Sequence, residues 1–238
     1  MNTLNKTARI AGFLYLMFLI TGIFAGVVRD QLVVYGNAAA TANNIMAPEW
    51  LFRIDFMSDL LAGLFFLLAA WALYVLLKPV DNSLALLFLL LNLGGVAVQC
   101  ANLLNQLAAL LLVSGPDYLK VFQPNQLHAL AMFFLTLYKN GFVAEQLFYG
   151  AWLFPLAYLV YKSGFLPRIL GILLFLDFIG ELIWVLQFFL FPGYDAITYP
   201  GFAVGFIAEV SLCLWLLIVG VKDQKSALDE NPAVLAAS

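Results

Sequence analysis

Histidine is nearly absent from this chain of 238 residues, which has one, His128. Cysteine is almost as scarce: Cys100 and Cys213 both fall inside apolar runs. Two thiols so placed imply no disulfide framework and read as small buried groups. No Cys or His pair stands at ligand spacing, so a zinc site is excluded and no metal or other cofactor is expected. Charge is the third scarcity. Asp, Glu, Lys and Arg make up 11% of the chain, where a soluble domain carries roughly 25%. The net charge of −3 offers no basic stripe, which removes nucleic acid as a partner. Polar low-complexity stretches are also missing, apart from a short tail. A single transmembrane domain over residues 1–225, with a flexible cytoplasmic tail over 226–238, is therefore expected.

What the chain has instead is apolar length. Hydrophobic residues are 64% of it, and the mean hydropathy is +0.97. No aqueous surface can be built from that inventory, so the lipid bilayer is the expected partner. Six spans are predicted, at about 10–29, 54–77, 84–113, 142–161, 169–191 and 201–221. The first has the positive flank of a signal peptide, Lys6 and Arg9, but is too long for its apolar core and reads as a retained helix. Between spans one and two, Asn37 precedes an alanine-rich stretch and is placed to cap a short surface helix. Asn82 or Ser83 should cap the third span. The segment before Lys139-Asn140-Gly141 predicts an amphipathic half-helix at the surface, with a kink or break near Gly141. The fold class is all-α, an integral membrane six-helix bundle with a long, kinked fourth helix.

Basic residues set the orientation. With both ends cytoplasmic, the inner side holds Lys6, Arg9, Lys78, Lys162, Arg168, Lys222 and Lys225. The outer side holds Arg29, Arg53 and Lys120, with Lys139 at the boundary. That bias predicts N-in, C-in.

The polar residues inside the spans carry the functional clues. Asn92, Gly95, Gln99, Asn102 and Gln106 are spaced three, four, three and four, one stripe of a helix that is apolar on its other faces. Such a stripe bonds neighbouring helices or lines a wet cavity. Six carboxyls are embedded as well: Asp55, Asp59, Glu145, Asp177, Glu181 and Glu209. The four in spans four to six would cost roughly 10 kcal/mol if they faced lipid. That rivals a whole folding stability, so they point inward. Asp55 and Asp59, near the expected start of span two, also suit a helix dipole. Depth counting places most of these groups towards the outer ends of the spans. The candidate ligand-binding residues of an outward-facing polar pocket are Glu209, Glu181, Asp177, Glu145, Arg53, Gln99 and Asn102. No Gly-x-Ser-x-Gly elbow or Glu-x-x-His pair points to a reaction, and no catalytic residue is assigned.

Several stretches read together are similar to a known family. They are Gly36-Asn37-Ala38-Ala39-Ala40-Thr41-Ala42-Asn43, Leu51-Phe52-Arg53, Leu76-Leu77-Lys78-Pro79-Val80, and Glu209 followed by Trp215-Leu216-Leu217-Ile218. The most distinctive is Tyr161-Lys162-Ser163-Gly164-Phe165-Leu166-Pro167-Arg168-Ile169-Leu170-Gly171. Over nearly its whole length the chain resembles the bacterial multi-pass membrane proteins catalogued as domain of unknown function 4386. The resemblance implies the bacterial inner membrane and no assigned activity. Arg53 and Glu209 match the family pattern, whereas Asp177, Glu181 and Asn92 stand outside it. Three readings stay open: a protein binding or transporting a small molecule, lipid or cation; a membrane-embedded lipid-modifying enzyme using carboxylates; and a structural or partner subunit without chemistry.

Overall fold

The computed structural model describes residues 3–221. Among these the chain is helical, with no strand. Its elements are α1 (Thr3–Leu32), α2 (Ala38–Met46), α3 (Glu49–Leu77), α4 (Asn82–Ser114), α5 (Pro124–Lys162), α6 (Arg168–Leu190) and α7 (Tyr199–Leu214). A π-helical turn, Trp215–Val219, continues α7. Six of the helices are long and apolar enough to cross a membrane, the last taken from Asp195 to Val219. Phe13, Leu104, Phe133 and Phe206 stand exposed on four of them, while Asn92, Gln106, Glu145 and Asp177 are buried. Apolar groups outside and polar groups inside is the arrangement that lipid imposes. The chain is a multi-pass α-helical membrane protein. The tail expected over 226–238 lies outside the described residues.

The helix ends follow from local chemistry, with four departures from expectation. Asn37 does cap α2, its Oδ1 accepting from the Ala40 amide at 3.0 Å. The cap of α4 is Asp81, whose Oδ1 accepts from the Leu84 amide at 3.0 Å; Asn82 is already helical and takes the Tyr74 hydroxyl instead. A carboxylate at that position satisfies an orphan amide and suits the helix dipole at once. In α3 the helix starts at Glu49, clamped to Arg53 one turn on, so Asp55 and Asp59 lie well inside it rather than at its N-terminus. Helix α5 runs unbroken through Gly141, where Asn102 of α4 packs in the space a side chain would need. Of the two thiols, Cys213 is buried and Cys100 is exposed.

The chain divides into two compact units, whose boundaries fall inside α1, α3, α4 and α5. The first takes α1 up to Leu16, then Phe66–Gly95 and the described residues from Gln146 on. Its centre is the fully buried Trp152, met edge-on by Phe66 at 4.8 Å and by Phe88 at 6.0 Å, with Tyr15 stacked at 6.5 Å. The second unit comprises Met17–Phe65 and Val96–Glu145. Here Val28, Leu32, Ile45, Phe52, Leu110 and Leu135 form an apolar core joining the five elements of that unit. Helix α2 is hooked to the end of α1 by the Thr41 hydroxyl, which accepts from the Val34 amide at 2.9 Å and donates to the Val34 carbonyl at 3.1 Å.

Candidate functional site

In the first unit α6 and α7 run antiparallel in close contact. Gly180 faces Gly201 so closely that a Cβ on either would come within 2.8–2.9 Å of the other's Cα. One turn along, the Asp177 carboxylate occupies the space a side chain at Gly205 would need. Glu181 lies one turn from Asp177 on α6, its stem against Gly150 of α5, and Glu209 lies one turn beyond Gly205 on α7. The three carboxyls thus form a ladder in the order Glu181, Asp177, Glu209, with a rise of about 6 Å per step. Both α6 carboxyls act electrostatically on Glu209, and no Lys, Arg or His among the described residues acts on any of the three. Tyr15, fully buried on α1, donates its hydroxyl to Glu209 Oε1 at 3.1 Å. Asp177 is buried at 2% exposure, and its Oδ2 has no hydrogen-bond partner; nor has Glu181 Oε2. Near the Glu181 end, Trp184 meets Phe202 edge-on at 4.9 Å.

The second unit holds a different arrangement, built round Arg29 near the end of α1. Its guanidinium reaches two carboxylates of α3, Asp55 at 2.9 Å and Asp59 through a very short contact. The Tyr138 hydroxyl donates to Asp59 Oδ2 at 2.8 Å, and the Tyr138 ring lies under the guanidinium at 4.6 Å. The α4 amides brace this cluster. Gln99 donates to the Asp59 carbonyl at 3.3 Å, and Asn102 to the Tyr138 carbonyl at 2.9 Å, with Asn105 donating to Asn102 at 3.1 Å. Glu145 is buried close enough to feel Asp59 and Arg29, and its Oε2 has no partner. Chemically this is a charge clamp, since each long-range partner of Arg29 is a fixed side chain on another helix. In the connection after α1, partial burial pushes the Tyr35 phenol above its ordinary value, and Lys139 lies 4.8 Å from its ring.

The structure therefore gathers Glu209, Glu181 and Asp177 in one unit, and Glu145, Gln99 and Asn102 in the other. Arg53 joins neither group: it is exposed, paired with Glu49, and lines an apolar groove with Phe56 and Leu107. Three residues that organise these clusters, Arg29, Tyr15 and Tyr138, were not singled out from sequence. Arg29 looked like a flank at a span's end, and a tyrosine in an apolar run carries no spacing signal. Among the described residues no group of three or more His, Cys, Asp or Glu is placed to hold a metal ion.

The model of the family described as Domain of unknown function (DUF4386) matches residues 10–220. The chain belongs to that family. An uncharacterized protein of Archaeoglobus fulgidus is 30% identical over 158 residues, which are 64% of this DUF4386 chain and 75% of the relative. No solved structure matches it.

Proposed function

We propose that this DUF4386 protein resides in the inner membrane, N-in and C-in, and binds a small organic cation on the Glu181–Asp177–Glu209 ladder. One observation carries the reading: three carboxyls lie in the apolar spans with no cationic side chain among the described residues acting on them, and Asp177 Oδ2 is buried without a partner there. Intramembrane carboxyls that no protein cation compensates mark ion, proton or substrate sites. Among the described residues these carboxyls form no group placed to hold a metal ion, and their succession one helical turn apart suits an aliphatic amine or diamine. The Trp184–Phe202 pair adds aromatic surface near the Glu181 end, which suits an ammonium group. In the N-in orientation Glu181 is the outermost of the three, so entry is from outside. The Arg29 clamp in the second unit supports the fold on this reading and does not bind the ligand.

The test is thermal unfolding of the purified full-length protein with 1,4-diaminobutane, propylamine or sodium chloride at equal ionic strength. A diamine present at about a hundred times its Kd should raise Tm by about 5–10 °C. The shift should vanish in Glu209→Gln and Asp177→Asn and persist in Arg53→Gln. If neither amine raises Tm beyond the salt control, the reading fails.

A further inference from the structure

We propose that the groove between the end of α5 and the start of α6 is a binding site for one anionic phospholipid. Phe154, Ala157, Tyr158 and Tyr161 form one wall, at spacings of three, one and three on α5. Gly171, Ile172 and Phe175 form the other on α6. The groove has a volume of about 250 Å³, and the helices meet closely at its floor. A Cβ on Gly171 would lie 2.8 Å from the Ala157 carbonyl oxygen and from the Tyr161 amide. Both walls belong to apolar spans, so in the bilayer an acyl chain fills the space.

What makes the site selective is its basic end. Lys162 closes α5 and Arg168 opens α6, so the connecting turn brings both cations to the same end of the groove. Lys162 Nζ lies 5.9 Å from the Tyr158 ring centre and Arg168 Cζ 5.6 Å from that of Tyr161. Both are exposed, and neither has a carboxylate partner among the described residues. No side chain caps α6, whose first residue follows Pro167. Its opening amides therefore face the same place as the two cations, and an uncapped helix N-terminus favours a phosphate. The tyrosines mark the headgroup layer, where aromatic rings of this kind sit. Two cations with no carboxylate partner among the described residues and a helix N-terminus above an acyl-sized groove match the charge and shape of an anionic glycerophospholipid. Basic pockets between helices bind such head groups elsewhere. Lys78, which stands over Tyr74 at 5.8 Å, lines neither this groove nor the one beside Arg53.

Native mass spectrometry of the full-length protein tests this, with equal amounts of phosphatidylglycerol and phosphatidylcholine of matched acyl chains. At about 1 kcal/mol per basic residue, two cations give a preference of about thirtyfold for phosphatidylglycerol. Lys162→Gln with Arg168→Gln should bring the two lipids near parity, and each single substitution should take a part of the effect. Lys78→Gln, an equal change of net charge, should leave the preference intact. Ile172→Trp, on an exposed position, should fill the groove and lower retention of both lipids. An unchanged preference in the double variant, an equal loss in Lys78→Gln, or displacement of the lipid by inorganic phosphate alone would overturn the proposal.

Discussion

A single guanidinium, that of Arg29, holds Asp55 and Asp59 from one helix and sits on the ring of Tyr138 from another. A buried pair is costly to break because the surviving charge keeps its desolvation penalty without its partner. Arg29→Gln should therefore destabilise the protein by about 3–5 kcal/mol, measured by unfolding in detergent. Adding Asp55→Asn and Asp59→Asn to the same chain should recover part of that loss. Tyr138→Phe, which removes a hydrogen bond to a charged group, should cost about 1.5–3 kcal/mol. Asp177 behaves oppositely. Among the described residues its Oδ2 has no partner and no cation acts on it, so Asp177→Asn should leave stability unchanged or raise it. The same side chain is structural in one unit and available for a ligand in the other, and its partners decide which.

At the scale of the helix, α4 shows what a sequence period can and cannot reveal. Spacing alone assigned Asn92, Gly95, Gln99, Asn102 and Gln106 to one face, and that face is the inward one. Their partners were not legible, because they are backbone carbonyls of Asp59 and Tyr138 on other helices, which no pattern in α4 encodes. Replacing both Gln99 and Asn102 with leucine should cost about 0.6 kcal/mol for each interhelical bond lost. Gln106 is fully buried with neither amide atom bonded, so Gln106→Leu should be neutral or stabilising in the same assay. Hydropathy also truncated the helices. Helix α1 is already helical at Thr3, and α3 begins at Glu49, because polar and charged residues continue a helix that an apolar run only partly marks. The π turn at Trp215–Val219 left no trace in the sequence, where Trp-Leu-Leu-Ile-Val reads as ordinary span.

For the whole molecule, six spans were legible because a bilayer permits little besides apolar helices of sufficient length. The carboxyl ladder was only half legible. Asp177 and Glu181 share a face by spacing, but Glu209 joins them through the antiparallel meeting of α6 and α7 at Gly180 and Gly201, a tertiary event. Orientation depends on the basic residues, since Lys6, Arg9, Lys78, Lys162 and Arg168 all fall on the side assigned to the cytoplasm. That assignment also decides from which side an amine reaches Glu181 and which leaflet supplies the phospholipid beside Arg168. It can be tested with single cysteines in a background carrying Cys100→Ala and Cys213→Ala. Ala39 is exposed on α2, and Ser83 is exposed at the start of α4. On intact cells an impermeant maleimide should label Ala39→Cys and spare Ser83→Cys, and both should label once the membrane is opened. The reverse pattern would turn the protein over, place Glu181 on the inner side and move the basic groove to the outer leaflet. Ligand entry from outside would then be ruled out, while the Arg29 clamp, which depends only on contacts within its own unit, would stand unchanged.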